Sequence, residues 1–258
     1  MTKLFKNIRK NLLSENKTTN YLKYAIGEII LVVIGILIAL QVNNWNESQK
    51  VKKQEIQIYT ELKSDLLQTK KEILNAIIKH KERIKSTQSL IYGIVKKEPN
   101  SKIIYNRFAR SSDDFQIIPK TSAFEGLKNI GLQILSNDSL RIRITNLYQL
   151  DLKRIDDKLG NEDPELTISN LLSPFQKKYF FADYNQTTKY GFKYSDSITV
   201  QKMEIKDYDE FLTDNMLLRT IELTLYNRSN KIDLETETVI KIDKTIKRID
   251  KELDKLKN

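Results

Sequence analysis

YAIGEIILVVIGILIAL, Tyr24–Leu40, holds eleven Ile, Leu or Val residues in one run. On an insertion scale each contributes roughly −0.3 to −0.6 kcal/mol, about −5 kcal/mol together, while Glu28 near one end opposes by at most about 3 kcal/mol. The balance favours insertion into a bilayer. Extended to Tyr21 and Val42, the segment makes a helix about 33 Å long, enough for a hydrocarbon core of about 30 Å. The rival reading is a buried helix of a soluble protein, but the run is apolar all round instead of along one stripe. A cleavable signal peptide fits less well, because the run is long, carries a carboxylate and is followed by no small-x-small site. The sequence therefore predicts one transmembrane helix at 21–42.

The flanks orient it. Lys3, Lys6, Arg9, Lys10, Lys17 and Lys23 precede the run, whereas Asn43–Leu62 carries Lys50, Lys52 and Lys53. The positive-inside bias places residues 1–20 in the cytoplasm as a basic flank and the large domain, 43–258, on the other side. Tyr21, Tyr24 and Trp45 fall where interfacial aromatics anchor a span. The first 13 residues pattern as a short amphipathic helix that could lie among anionic headgroups, or simply as a basic topogenic flank. Within the span, Gly35 and Ala39 each lie within about 20° of Glu28 at about 100° per residue. That face joins a carboxylate to a small-x-x-x-small pair, the pattern that lets helix backbones approach. The alternative is that Glu28 reaches the cytoplasmic interface and Gly35 and Ala39 are ordinary span residues.

Beyond the span, Gly (7) and Pro (4) are too scarce for a sandwich or barrel, so the expectation is a mostly α fold. From Asn46 to Lys97 one long helix is expected, continuing from the anchor and ended by Glu98-Pro99-Asn100, with a stripe through Leu62, Leu66, Ile73, Ile77, Ile84, Ile91 and Ile94. A second long helix, Tyr208–Lys257, carries a 3-4 pattern from Leu218 to Leu256 interrupted only by Arg228 and Glu235. Two such helices pack antiparallel, join a bundle, or dimerise as a coiled coil. Between them, Ser122 and Glu125 form a capping-box pattern that starts a helix to about Leu135. Asn137 or Asp138 caps another over Ser139–Leu159, ended by Gly160. Asp163-Pro164 starts a third, which Pro174 breaks or kinks. Gln186–Ile205 alternates aromatic and polar residues as a hairpin or irregular lobe.

The block from Met1 to Glu47 resembles the N-terminal signature of an uncharacterised family of single-pass membrane proteins from Gram-negative bacteria, known only as a domain of unknown function. The matching residues are Asn11–Glu15, Tyr24–Ile29, Val32–Gln41 and Asn43–Glu47, with a weaker match at Ala123–Gly131. The resemblance implies a bacterial inner-membrane location with the C-terminal domain periplasmic. It implies no activity.

No catalytic, cofactor or metal constellation stands out. Cysteine is absent, which excludes disulfides, thiolate metal sites and cysteine nucleophiles. His80, the one histidine, falls on the apolar seam of the first long helix and reads as a packed residue; alone it makes a zinc site improbable. The carboxylate pairs Asp113-Asp114, Asp156-Asp157 and Glu162-Asp163 lack calcium-loop spacing. Asp113-Asp114, in the polar stretch Arg110–Gln116, is the best of them and reads as a solvated loop. Net charge is +10, but the lysines and arginines alternate with acids along helices, which excludes a nucleic-acid stripe. The expected function is non-enzymatic: a bilayer-anchored module that binds a partner or ligand, as a homo-oligomer or with another membrane protein. The alternative is an envelope enzyme whose site the sequence does not reveal.

Overall fold

The long apolar run nucleates one helix, α1, that runs uninterrupted over Thr18–Val95. The computed structural model describes residues 18–156, 167–192 and 194–258. They form two compact units, one ending at Gln57 and one comprising Ile58–Asn258. In the first, the aliphatic side chains of the run have no protein cover: Ile29 is 63% and Leu31 67% exposed. The run is a candidate membrane span. The expected amphipathic helix over the first 13 residues lies outside the described residues.

The second unit begins where α1 becomes amphipathic, burying Leu62, Leu66, Ile73 and Ile77. The helix ends as the sequence expects, just before Pro99, through a hydrogen-bond pair that closes its last turn. Lys97 takes the left-handed conformation at φ 52°. The Glu98 N–H donates to Gly93 O at 2.9 Å and the Lys97 N–H to Ile94 O at 3.1 Å. This is the Schellman arrangement, with lysine where glycine is usual. The turn delivers the chain to α2, Lys102–Ser112, a helix the sequence reading does not anticipate. It forms because Ile104 and Phe108 share one face and bury together. Gly93 permits the close approach: a Cβ there would sit 2.7 Å from Ile104 Cδ1.

α3, Ser122–Ile130, starts where the capping box predicts but by another device. Neither Thr121 nor Ser122 caps it. Asp65, on α1, accepts from Ser122 Oγ at 3.0 Å and from the Ala123 N–H at 2.8 Å. A carboxylate from a distant element thus satisfies an orphan donor at the positive end of the helix. The helix stops earlier than expected, because Gly131 sits at φ 112°, where a side chain would be strained. A single 3₁₀ turn, Leu132–Ile134, follows. Asn137 then caps α4, Asp138–Asn146, accepting from the Leu140 N–H.

The expected rod from Ser139 to Leu159 is not uniform. It widens to a π-helical stretch over Leu147–Leu152 before resuming as α5, Lys153–Asp156. The stretch buries Leu147, Tyr148 and Leu152, and Tyr148 stacks on Phe124 with centroids 4.6 Å apart. Its hydroxyl has no hydrogen-bond partner among the described residues. Burial, and then the nearby Asp65 carboxylate, push the phenol's pKa up. Gly160 and the Asp163-Pro164 start lie outside the described residues.

Pro174 does not break α6, which runs through it over Ile168–Tyr179. One proline removes one backbone bond, and Leu172 and Tyr179 remain buried on either side. The hairpin exists, but begins before Gln186: β1, Phe180–Tyr190, pairs antiparallel with β2, Ile198–Ile205. The register shifts between Asp183 and Thr187. Phe180 and Ile205, directly opposed at its base, enter a core with Leu90, Ile94, Phe108 and Phe211.

The last long helix is two. α7, Tyr208–Thr213, is separated from α8, Asn215–Lys257, by Asp214. One oxygen of that carboxylate accepts from the Met216 and Leu217 N–H groups, and the other from Tyr179 Oη at 2.6 Å and Lys178 Nζ at 3.2 Å. Burial alone would raise its pKa; the bonds from Tyr179, Leu217 and Lys178 outweigh that and hold it at about 2, below its ordinary 3.8. A carboxylate depressed on folding stabilises the fold above its unfolded pKa, and that stability fades as pH falls through the folded value. Between pH 3.8 and about 2 the wild type should therefore lose thermal stability more steeply than Asp214→Asn. Parallel slopes in circular-dichroism melts across that window would refute the assignment.

α1 and α8 run antiparallel within one chain. Lys63 pairs with Asp250 and Lys70 with Asp243, each at 2.6 Å, so numbers rise along one helix as they fall along the other. These half-exposed pairs set register and contribute only about 0–1 kcal/mol each.

Candidate functional site

Midway along this helix pair the buried seam changes character. Arg228 and Glu235, one heptad turn pair apart, do not interrupt the seam of α8, as the apolar pattern suggests. They occupy its centre, with Thr224, Lys231 and Thr238 buried alongside. Ile232 and Val239, which the pattern puts there, are only half-buried. His80 meets them from α1 with no exposed surface. The seam position expected for His80 is thus correct, but its neighbours are charged.

The geometry fixes the histidine's state. Arg228 Nη1 lies 3.1 Å from His80 Nδ1. A guanidinium can only donate, so Nδ1 accepts and the ring proton sits on Nε2. Nε2 lies 3.3 Å from Glu235 Oε1, without hydrogen-bond alignment. His80 therefore has no lone pair free for a metal or for proton abstraction. Arg228 Nη2 donates to the carbonyls of Ser111 at 3.1 Å and Asp113 at 2.7 Å, which holds the end of α2 and the following strap against the helix pair.

The strap is the Asp113-Asp114 segment, and it is not the solvated loop the sequence suggests. Asp113 Oδ2 accepts from Arg83 Nε at 3.0 Å, and Asp114 Oδ1 from Lys231 Nζ at 2.5 Å. Phe115 covers His80 edge-on at 5.3 Å, with Lys79 and Arg83 over its outer face. Burial lowers the Arg228 pKa to about 10, against the opposing pull of Asp114. Burial also lowers that of Lys231, again opposed by Asp114. Arg228 therefore remains charged at neutral pH, and Lys231 is held in an ion pair with Asp114, so the cluster is a set of paired charges rather than an acid–base pair. Among the described residues, no three His, Asp or Glu side chains converge as metal ligands.

The other sequence candidates stay apart from this cluster. Gly35 and Ala39 lie on the exposed span of α1, where a Cβ on Gly35 would meet nothing within 4 Å. Glu28, on the same helix, is half-exposed. Trp45 is 64% exposed; the side chains of Tyr21 and Tyr24, and residues Asp157, Glu162 and Asp163, lie outside those described. Sequence reasoning missed Lys231 altogether and treated Arg228 and Glu235 as defects in a stripe. The available signal was their spacing: two ionic residues seven apart on a heptad seam, opposite a seam histidine.

A family model described as "Family of unknown function (DUF6090)" matches residues 28–205. The match takes in most of the apolar run, His80 and the strap, and ends at the last residue of β2; the α8 half of the polar seam lies beyond it. No curated protein and no solved structure shows a significant similarity to the chain.

Proposed function

The chain belongs to this family of unknown function, and from that premise we propose that it is a single-pass membrane-anchored module that binds a partner and catalyses no reaction. The observation that carries this reading is the uncovered run from Ile26 to Val42, whose large aliphatic side chains are about half or more exposed. In water such a surface is untenable; in a bilayer it is the ordinary surface of a span. The charge asymmetry supports an inner-membrane anchor with the N-terminus in the cytoplasm and the folded unit in the periplasm. The fixed-charge seam supports a binding or scaffold role, since its histidine and arginine are spent on holding α1, α8 and the strap together.

The span face of Glu28, Gly35 and Ala39 is the proposed contact, with a second copy or another membrane protein. Crosslinking with mass spectrometry in native membranes tests it. Gly35→Leu and Ala39→Leu are expected to abolish the span crosslink, and Leu37→Ala, on another face, to leave it. Equal crosslinking in all three would reduce the segment to an anchor. Protease added to spheroplasts is expected to digest the C-terminal unit; its protection would reverse the orientation.

A further inference from the structure

The polar seam borders a cavity of about 20 Å³, lined by Phe115, Gln116, Ile117, Ile155, Lys231, Leu234 and Glu235. A water molecule needs roughly 10–15 Å³ by the same measure, so the cavity holds one molecule of that size. Two of its walls are charged and more than nine-tenths buried: Glu235 is 4% and Lys231 7% exposed. Among the described residues Glu235 Oε2 has no hydrogen-bond partner, an unfavourable arrangement for a buried carboxylate unless something donates to it. Lys231 Nζ bonds Asp114, and an ammonium carries three N–H groups, so donors remain.

We infer that this cavity is a binding site for a single neutral molecule, an ordered water, that donates to Glu235 Oε2 and accepts from Lys231 Nζ. Charge selects water over an ion of similar size. The charges of the cluster and of the side chains bonded to it or stacked on it are Lys79, Arg83, Arg228 and Lys231 against Glu82, Asp113, Asp114 and Glu235, and His80 Nδ1 accepts from Arg228. The cluster therefore has no net charge for an anion or a cation to offset. The water completes the polar seam where the strap crosses α8 and links the side chain that holds the strap to the one that faces His80.

The test is a crystal structure of the full chain in detergent at a resolution that shows ordered solvent, with bromide and rubidium soaks. The expected result is one solvent peak about 2.7–3.2 Å from both Glu235 Oε2 and Lys231 Nζ, with no anomalous signal from either ion. Glu235→Gln, which keeps an acceptor oxygen, should retain the peak. Replacing chloride by bromide, or sodium by rubidium, at constant ionic strength should leave the melting temperature unchanged. An anomalous peak in the cavity makes it an ion site and overturns the inference. So does a wild-type cavity without density.

Discussion

Arg228→Ala is expected to destabilise the folded unit by about 3–5 kcal/mol, the range for removing one member of a buried ionic cluster. Its side chain is wholly buried and contacts His80 Nδ1, Ser111 O and Asp113 O. Truncation leaves those three acceptors without their donor and opens a void the size of the guanidinium and its stem. Glu235 also loses the positive charge that shares its site. At roughly 2–4 °C per kcal/mol for a unit of this size, the melting temperature should fall by on the order of 10 °C. Circular-dichroism melts of the full chain in detergent measure it; a fall of only about 2 °C would show that the cluster contributes no more than surface pairs do.

A triple replacement separates the cost of breaking the cluster from the worth of having it. Buried ionic groups exchanged together for apolar ones of similar volume are often neutral or even stabilising, because every desolvation penalty leaves with them. His80→Leu, Arg228→Leu and Glu235→Leu combined should therefore recover much of what Arg228→Ala loses. Recovery should stop short of the wild type, since the carbonyls of Ser111 and Asp113 still lack a donor. The strap should then exchange its amide hydrogens faster than in the wild type, while the ends of α1 and α8 do not. A triple variant less stable than Arg228→Ala would mean that the seam depends on its charges for packing and not for holding the strap.

The same cluster marks the boundary of what the sequence makes legible. The apolar run, the long helix that continues from it and the amphipathic faces of the two long helices follow from periodicity, which local chemistry writes directly into the chain; the antiparallel pairing and the hairpin are each one of the alternatives that periodicity allows. The middle of α8 does not. There the seam is Thr224, Arg228, Lys231, Glu235 and Thr238, and a hydropathy pattern scores such residues as outward-facing. The apparent stripe therefore slides onto Ile232 and Val239, which are only half-buried. What compensates the buried charges lies over a hundred residues away, in carbonyls and carboxylates at the end of α2. α3 repeats the lesson: its start is visible at Ser122, but its capping group is Asp65. Local signals place element ends; they do not identify a cap or a counter-charge supplied by another element.

The second large effect is on location. The intact chain is expected to stay with the membrane through carbonate extraction, and a chain lacking Tyr24–Leu40 to move wholly to the soluble fraction. The estimate for insertion is about −5 kcal/mol from eleven aliphatic residues, opposed by at most about 3 kcal/mol from Glu28. Deleting the run removes all of it, and the basic N-terminal flank alone provides only a reversible, salt-sensitive attraction to anionic lipid. Glu28→Leu should strengthen insertion without changing the fraction already bound. If the Glu28 face contacts another helix, the same substitution should also weaken the span crosslink, since the carboxylate would no longer gain from facing protein. Together these variants distinguish an anchor from an anchor that recognises something. Membrane retention with loss of the crosslink supports recognition. Retention with the crosslink intact confines Glu28 to the interface, and release of the intact chain by carbonate removes the span itself.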